Sequence, residues 1–429
     1  MLSREDNDTV TRTGPGTPAG SLLRAYWQPA ALVSEMSDDR PVKPLRLLGE
    51  DLVLYKKDDG WALVSRFCAH RGVDLSFGRL EDGGLRCLYH GWLYGPDGRC
   101  LEQPAEPEHS RFHEKVRISA YPCEERNGII FAYLGGGTPP PFPDYDCFLA
   151  PEEYTFAFKG LWECNWLQGV EGGIDPSHVS FLHRFLDEDP RETYGQQFRE
   201  EVEGTGKTLS SIVGESFRPD IEVESDEHGL RVFAVRHLSE ELRHVRVTNL
   251  VFPNAFVVPF GNDKVFCQWH VPVDDHNHYW YMILYDFQTP TDKETLLRQR
   301  IANVTLPDYR STRNRDNDWG FDPAEQRERT YTGMGLDINV HDQWAVESMG
   351  PIQDRTVERL GVSDRAVTAN RRLLLRSIAA HSAGNPLPGQ GALRGPLAVD
   401  TIAPAADWQH YWREREAKRR AESPWAVPR

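Results

Sequence analysis

The chain has 429 residues, enough for two domains, and its 39% hydrophobic content with 12 Trp allows a substantial core. Its formal net charge of −16 argues against a general role in nucleic-acid binding. The polar start of the chain and the lack of an apolar run of about 18 residues predict neither a signal peptide nor a membrane span. Seven Cys without paired spacing indicate reduced thiols and a cytoplasmic protein.

Short strands dominate the predicted elements of the first third of the chain. After a polar tail, a short helix is expected around Gly20–Trp27, and strands are expected at 45–56, 61–67 and 128–135. Turn residues separate these strands, which indicates an all-β module. The Gly- and Pro-rich run 135–143 suits neither a helix nor a central strand, so it is interpreted as the exit linker.

The remainder of the chain mixes helices with long alternating stretches. A helix is expected to begin near Asp175, with Pro176 in its first turn. Alternating stretches at 230–238, 245–252, 265–273 and 279–287 predict a large antiparallel sheet. Further helices are expected at 293–303, 341–349, 363–380 and 407–422, with a surface loop over 382–394.

Two short Cys/His motifs form the first candidate site. Cys68-x-His70 is followed after sixteen residues by Cys87-x-x-His90. A Rieske [2Fe–2S] centre needs this donor set, because two thiolates bind one iron and two imidazoles bind the other. Structural zinc is the alternative, although zinc fingers usually pair Cys with Cys and His with His. Here each motif contains one residue of each kind, which favours the cluster.

A second candidate site follows about eighty residues later. Asp175, His178 and His183 are spaced D-x2-H-x4-H, which places them on neighbouring faces of a helix. Two imidazoles and one carboxylate form the facial triad of non-haem Fe(II) oxygenases, which leaves positions open for O2 and substrate. The alternative is that the two His are ordinary core residues.

The segments around both motifs resemble one known family. FCAHRG (67–72), CLYHGWLY (87–94) and NWLQGVEGGIDPSHVSFLH (165–183) are similar to Rieske non-haem iron ring-hydroxylating oxygenases. The segments 11–30 and 347–364 resemble the phthalate dioxygenase branch, whose large (alpha) catalytic subunits have no separate small subunit. The likeness covers most of the chain, but about 195–330 contains no informative motif.

This resemblance implies two cofactors, a [2Fe–2S] cluster and one Fe(II). It implies that the cluster is held by Cys68, His70, Cys87 and His90. The implied Fe(II) ligands are His178, His183 and a distant Asp. Asp342, followed five residues later by Glu347, matches the family pattern best, and Asp337 is the competing acid. The alternative for Asp342 is an acid near the N-terminus of a helix that only interacts favourably with the helix dipole.

In the family, the counterpart of Asp175 joins a Rieske His to an iron-binding His across a subunit boundary. We therefore expect Asp175 to contact His178 and a Rieske His of a neighbouring chain, His90 before His70. The linker separates the two domains of one chain, so the functional form is expected to be a trimer or stacked trimers (hexamer). Electrons are expected from an NAD(P)H-dependent flavin/iron–sulfur reductase.

The predicted fold class is α+β. An all-β Rieske [2Fe–2S] domain is combined with a catalytic domain whose large antiparallel sheet is, by resemblance, of the helix-grip type. The predicted boundaries are 1–40 for an N-terminal segment packing on the catalytic domain, 41–143 for the Rieske domain and 144–429 for the catalytic domain.

The predicted function is that of a terminal oxygenase that uses O2 to hydroxylate an aromatic substrate, with an aromatic acid favoured. The alternatives are an O-demethylating or ether-cleaving Rieske monooxygenase and a Rieske electron carrier. An electron carrier has no use for the second motif. Arg243 and Arg246 are candidate carboxylate ligands that face opposite sides of a predicted strand, and an exposed sheet-face arginine is the alternative for either.

Overall fold

The protein is described by a computed structural model that covers residues 1–187, 201–202, 205–261, 263–390 and 398–426. The chain forms two compact units. The smaller unit contains Arg12–Pro140 and Val271–Asp274, and the larger contains Met1–Thr11, Pro141–His270 and Asp275–Arg429. Within the described ranges, every helix is too short or too polar to cross a membrane.

The smaller unit consists of short antiparallel strands arranged in three sheets, with one helix. The helix is α2 (Pro18–Arg24). The sheets have the orders β1-β11-β10, β2-β3-β4-β9 and β5-β6-β7-β8. Their strands are β1 (Trp27–Leu32), β2 (Val42–Leu47), β3 (Glu50–Lys57), β4 (Gly60–Ser65), β5 (Arg79–Glu81), β6 (Gly84–Arg86), β7 (Leu93–Tyr94), β8 (Cys100–Glu102), β9 (Ala120–Tyr121), β10 (Cys123–Arg126) and β11 (Ile129–Tyr133). The all-β prediction for this region is confirmed.

The N-terminal segment is divided between the two units, unlike the predicted single segment 1–40. Only helix α1 (Arg4–Thr11) belongs to the larger unit, where the Asn7 side chain donates to the Gln353 carbonyl at 3.1 Å. Residues from Arg12 onward belong to the smaller unit, because β1 pairs along β11. Pairing of this kind depends on residues a hundred positions away, which local sequence does not reveal.

A ten-stranded sheet forms the centre of the larger unit, as traced over the described residues. Its order is β15-β16-β17-β18-β19-β20-β12-β22-β21, with β23 paired to β17. Most neighbours are antiparallel, as predicted, but β12 and β22 pair in parallel, so the sheet is mixed. The strands of this unit, including the separate hairpin β13–β14, are β12 (Thr155–Trp162), β13 (Glu201–Val202), β14 (Lys207–Thr208), β15 (Asp220–Ser225), β16 (Gly229–His237), β17 (Leu242–Val251), β18 (Ala255–Phe260), β19 (Lys264–Pro272), β20 (His278–Asp286), β21 (Val304–Thr305), β22 (Arg310–Ser311) and β23 (Val399–Pro404).

Helices cover this sheet, so the α+β class is confirmed. They are α3 (Asp146–Leu149), α4 (Trp166–Ile174), α5 (Val179–Leu182), α6 (Leu209–Glu215), α7 (Lys293–Ile301), α8 (Pro323–Glu328), α9 (Ile338–Glu347), α10 (Arg365–Ser382) and α11 (Trp408–Glu422). Helix α9 begins earlier than predicted because Asp337 caps it by accepting from the Asn339 N–H at 3.1 Å. The predicted loop 382–394 lies partly outside the described residues.

The prediction of a helix that begins near Asp175 is wrong. Helix α4 ends at Ile174, and Asp175 follows it in an extended conformation with ψ of 112°. The residue before a proline is excluded from the α region by the proline ring, so Pro176 separates α4 from the short α5. His178 immediately precedes α5, and His183 immediately follows it.

Helix α4 packs with its backbone directly against the sheet. A Cβ atom on Gly173 would lie 1.9 Å from Cε1 of Phe256, and one on Gly169 would lie 2.2 Å from Nδ1 of His270. On the neighbouring Gly172, a Cβ atom would meet only Val346, at 3.4 Å. Two glycines are therefore required for the approach of α4 to β18 and β19.

We expect Gly173→Ala to lower the free energy of unfolding by about 2 kcal/mol, because Phe256 must move to admit the methyl group. Gly172→Ala is the matched control in the same helix. It should be neutral or slightly stabilising, since Ala has the higher helix propensity. Urea unfolding of both variants tests this, and equal midpoints for the two would contradict the packing described here.

Candidate functional site

The two Cys/His motifs of the smaller unit form loops of the same geometry. The Gly72 N–H donates to the Cys68 carbonyl at 2.9 Å, and the Gly91 N–H donates to the Cys87 carbonyl at 3.0 Å. Both glycines adopt positive φ, 74° and 73°. That conformation favours glycine, which explains why each ligand pair is followed by one.

The side chains of these loops suit a two-iron cluster. Cys68 and Cys87 are buried, at 4% and 3% exposure, whereas His70 is exposed and His90 is partly buried. The two imidazole rings lie 4.5 Å apart between centroids. Burial raises the pKa of the Cys87 thiol, and Cys68 adds to the shift, so a bound cation is needed before the Cys87 thiolate forms. The residues present therefore fit a cluster with inner thiolates and outer imidazoles.

Tyr94 completes this site and was not predicted from the sequence. Its hydroxyl lies 3.2 Å from Sγ of Cys68 and accepts the Ala69 N–H at 3.1 Å, so its own proton points to the sulfur. Burial raises the pKa of Tyr94, which therefore remains a donor. Hydrogen bonds to a ligand sulfur tune the reduction potential of such clusters. The only sequence signal was its place at the end of CLYHGWLY.

In the larger unit, three predicted metal ligands converge. Nε2 of His178 and Nε2 of His183 lie 3.2 Å apart, and Oδ1 of Asp342 lies 3.6 and 3.2 Å from them. The three donor atoms all lie within 4.8 Å of one another. Asp342 projects from α9, whereas the two His flank α5. The arrangement is that of a 2-His-1-carboxylate site.

The protonation states of these residues also suit a metal. Burial lowers the pKa of His178, although Asp342 opposes the shift. Burial alone would raise the pKa of Asp342, but His183 and His178 outweigh it, and the net shift is downward. A neutral His178 imidazole beside an ionised Asp342 carboxylate is what a divalent metal requires.

The two other acids near this segment do not join the triad. Asp337 caps α9 and lies 3.4 Å from Nη1 of Arg300. Glu347 accepts the Glu163 N–H at 2.8 Å and the Trp319 indole N–H at 2.9 Å. The structure therefore separates Asp342 from its competitor, and Glu347 holds neighbouring segments together.

Asp175 contacts His178 through its main chain, which corrects the expected carboxylate contact. The Asp175 carbonyl oxygen lies 2.5 Å from Nδ1 of His178, whereas Oδ2 lies 3.9 Å away. Oδ1 instead accepts the Ser177 N–H at 2.8 Å. The main chain orients the imidazole, and the carboxylate, 24% exposed, remains partly accessible.

A cavity lies between α4, α9 and the sheet and contains the triad. Its remaining walls are apolar rings and a few polar side chains. They include Phe256, Phe260 and Phe266, and the polar Arg246, Thr248, Gln268 and His270. A cavity lined by aromatic rings and a few polar groups suits an aromatic molecule.

Of the two predicted carboxylate ligands, the structure places Arg246 at this cavity and Arg243 elsewhere. Arg246 is 8% exposed, and its Nη1 donates to Oδ2 of Asp400 at 2.6 Å. Burial alone would raise the pKa of Asp400, but His244 and Arg246 hold it at about 2. Arg243 donates to the Ser239 and Leu242 carbonyls at 2.6 and 2.9 Å. Arg243 is therefore absent from the lining of this cavity.

Arg236 supplies a second buried positive charge beside Arg246. Its Nε and Nη2 donate to the Ser216 and Pro176 carbonyls, both at 3.2 Å, and its Nη1 has no acceptor within the described residues. Burial and the charge of Arg246 lower the pKa of Arg236 to about 10, so it stays charged at neutral pH. Of the two guanidinium groups, Arg246 contacts the Asp400 carboxylate, whereas Arg236 is attracted by its charge without a direct contact.

Comparisons with known proteins identify both parts of the chain. The Rieske [2Fe-2S] domain family matches residues 26–122, and the family described as LigXa C-terminal domain like matches residues 140–426. The phthalate 4,5-dioxygenase oxygenase subunit of Pseudomonas putida is 32% identical over 97% of this chain and 95% of its own.

The 5,5'-dehydrodivanillate O-demethylase oxygenase subunit of a Sphingobium species is 32% identical over 90% of this chain and 82% of its own. The solved terminal oxygenase of carbazole 1,9a-dioxygenase from Novosphingobium sp. KA1 has the same fold. It aligns with a TM-score of 0.56 at 20% identity, over 86% of this chain and 94% of its own.

We expect Asp342→Asn to lose the mononuclear metal, because the amide supplies no charge to the site. Iron should fall from about three to about two per chain while acid-labile sulfide stays near two. Asp337→Asn is the matched control, since Asn also caps helices, and it should keep all the iron. Iron and sulfide analysis of both proteins decides the third ligand. A full iron content in the Asp342 variant would show that the third ligand is another residue.

Proposed function

Because this chain belongs to the Rieske non-haem iron ring-hydroxylating oxygenases, in the phthalate dioxygenase branch, we propose that it hydroxylates an aromatic acid. Members of this family are oxidoreductases with a Rieske [2Fe–2S] cluster and a mononuclear iron. When bound, these cofactors supply electrons and activate O2. The chain's own residues bind the cofactors, orient the substrate and shape the cavity.

Seven side chains would hold the two cofactors. Cys68 and Cys87 would bind one iron of the cluster, and His70 and His90 the other. His178, His183 and Asp342, which line the cavity, would bind the mononuclear iron there. The burial of the thiols and the convergence of the three donor atoms within 4.8 Å support this assignment.

The observation that carries the substrate class is the position of Arg246. This guanidinium lines the cavity of the triad, and only its Nη1 is engaged, by Asp400, among the described residues. Its remaining nitrogens can therefore bind a carboxylate of the substrate. With Arg236 behind it, the cluster keeps one uncompensated positive charge, which a carboxylate would neutralise. The rings of Phe256, Phe260 and Phe266 would bind the aromatic part.

O-demethylation is the second candidate function. The dehydrodivanillate O-demethylase subunit is as similar to this chain as the phthalate dioxygenase subunit, at 32% identity. Either reaction uses the same cavity and carboxylate contact, so the products distinguish them. Ring hydroxylation adds one or two oxygen atoms, whereas O-demethylation removes CH2.

The electrons would come from an NAD(P)H-dependent flavin/iron–sulfur reductase, and the functional unit would be a ring of three chains or two stacked rings. Within it, the Asp175 main chain would hold His178, and the partly accessible Asp175 carboxylate would accept a hydrogen bond from a Rieske His of a neighbouring chain. We place the enzyme in the cytoplasm, where thiols stay reduced, because its seven cysteines lack the paired spacing of a disulfide framework and form no disulfide among the described residues.

The deciding experiment incubates the purified oxygenase with a surrogate reductase, NADH and a panel of aromatic acids and ethers. Mass analysis should show oxygen gain or CH2 loss for an acid. About three irons and two sulfides per chain should accompany this activity, whereas an electron carrier would hold about two irons. A fully loaded protein that converts no member of the panel would overturn the proposal.

We expect Arg246→Met to raise the dissociation constant of the accepted acid about 10- to 100-fold, because a charge-assisted contact is lost. Arg243→Met, on the same strand but away from the cavity, should bind normally. Arg246→Lys keeps the charge beside Asp400 and reports on fold. Calorimetric titration and thermal unfolding of all three give the comparison, and normal binding by Arg246→Met would rule out this carboxylate contact.

We expect Asp175→Asn to keep both metals, because the Asp175 main chain, not its carboxylate, holds His178 in place. Loss of the negative charge should nevertheless slow reoxidation of the reduced cluster in a single turnover by at least about 100-fold. Stopped-flow absorbance, metal analysis and thermal unfolding measure these effects on one protein. A structural role alone would lower stability by about 1 kcal/mol and leave the rate intact.

A further inference from the structure

We propose that Gln268 determines substrate specificity by accepting a hydrogen bond from a hydroxyl or N–H group of the aromatic substrate. Three buried groups behind it determine which end of its amide faces the cavity. The inference rests on the proposed aromatic oxygenation and names a further substrate group, a neutral donor at a distance from Arg246.

Four polar groups form a chain from the cavity wall into the core. Nε2 of Gln268 lies 3.1 Å from Nε2 of His270, and Nδ1 of His270 lies 2.9 Å from Nε2 of His278. Nδ1 of His278 lies 2.8 Å from the carbonyl oxygen of Cys164. Both His side chains are fully buried, and Gln268 is 6% exposed.

The protons of this chain have one consistent arrangement. Burial lowers the pKa of His278 to about 4 and that of His270 well below its usual value, so both rings are neutral. A carbonyl oxygen only accepts, so Nδ1 of His278 must carry the proton directed at Cys164. Its Nε2 is then an acceptor, which requires the proton of His270 to be on Nδ1.

This arrangement leaves a lone pair on Nε2 of His270, which faces the Gln268 amide. The amide must turn its NH2 group to that lone pair, because the reverse orientation would bring two acceptors together in a buried site. Oε1 of Gln268 consequently faces the cavity, where the described residues offer it no donor. Gln268 thus presents an acceptor to whatever occupies the cavity.

The surroundings prevent His270 from adapting to a different ligand. Gly169 of α4 lies so close that a Cβ atom there would be 2.2 Å from Nδ1 of the ring. The rings of Trp162 and Phe256 lie 5.4 and 5.5 Å from it between centroids. The main chain of His270 is bound on both sides by Asn254, at 2.8 and 2.9 Å. The amide orientation is therefore built into the fold.

Gln268 and Arg246 line different parts of one cavity. Gln268 pairs with Phe256 on β18, and Phe256 pairs with Leu250 on β17. Arg246 lies four residues before Leu250 and points to the same side of the sheet, since side chains alternate. A carboxylate at Gln268 would meet the oxygen of the amide. The favoured substrate class is therefore an aromatic acid that also has a hydroxyl or amino group.

The test uses matched probes and needs no turnover. Phenol is compared with anisole, and each hydroxybenzoate isomer with its methoxybenzoate, by calorimetric titration of the oxidised, metal-loaded oxygenase. In the native protein, phenol and at least one hydroxybenzoate should bind about tenfold more tightly than the methoxy partner. Gln268→Leu should bring these ratios near one, whereas Thr248→Val, a control on the same cavity wall, should preserve them.

A second variant tests the groups behind Gln268. His278→Phe removes the acceptor for the proton on Nδ1 of His270. That proton can then move to Nε2 of His270, and the Gln268 amide can rotate so that its oxygen accepts it. The ratio of the affinities for the hydroxy and methoxy compounds should then fall toward one, because an amide N–H can donate to a hydroxyl oxygen and a methoxy oxygen alike. Thermal unfolding checks the fold of this variant. If His278→Phe does not fold, the Gln268→Leu measurements alone decide the proposal.

Failure of the Gln268 proposal and failure of the aromatic-acid proposal give different results in these experiments. Ratios near one in the native protein, or unchanged ratios in Gln268→Leu, overturn the role of Gln268. Failure of the aromatic-acid proposal appears separately, as benzoates that bind no better than phenol and anisole and are unaffected by Arg246→Met. The phenol–anisole pair then still measures the contact of Gln268.

Discussion

The site of the larger unit depends on the close packing of α4 against β18 and β19. Gly169 and Gly173 allow the helix backbone to touch His270 and Phe256 without intervening side chains. That contact sets the height of the cavity and immobilises His270. It also fixes where α4 ends, and therefore where Asp175 and His178 emerge.

The opposite face of α4 is held by a buried ion network. Glu171 accepts from Arg355 at 2.9 Å and from Arg371 at 2.6 Å, and both arginines are buried. Burial alone would raise the pKa of Glu171, but the two guanidinium groups reverse the shift. Removing one member of such a network leaves an uncompensated buried charge, which typically costs about 3–5 kcal/mol. The helix is thus held by shape on one side and by charge on the other.

The cavity combines two kinds of recognition on one apolar surface. Arg246, beside Asp400 and Arg236, provides a positive region, whereas Gln268 provides a neutral acceptor of fixed orientation. Charge favours anionic substrates in general, but an oriented amide discriminates between donors and acceptors of similar size. Rejection of a wrong partner by leaving a buried polar group unpaired is the stronger form of selectivity.

The sequence by itself determined the features that depend on local spacing. Two tight turns contain Cys68, His70, Cys87 and His90. The spacing of these residues and the glycines that follow them predict the shape of each turn, whereas the meeting of the two turns depends on the fold. The strands of the large sheet were likewise predicted, because alternation of apolar residues marks them one by one. Pro176 also determines locally where α4 ends, because the residue before a proline avoids the α region. The sequence prediction instead places Pro176 in the first turn of a helix.

Only the tertiary structure decided which distant residues meet. Local sequence does not distinguish Asp337 from Asp342 as the third ligand. In the folded helix, Asp342 faces His178 and His183, whereas Asp337 caps the N-terminus. Alternation placed Arg243 and Arg246 on opposite faces without showing which face closes the cavity. The series of hydrogen bonds from Gln268 to the Cys164 carbonyl could not be predicted from the sequence for the same reason. A hydrogen bond between side chains far apart in sequence depends on register between strands and on helix packing, which no local pattern specifies.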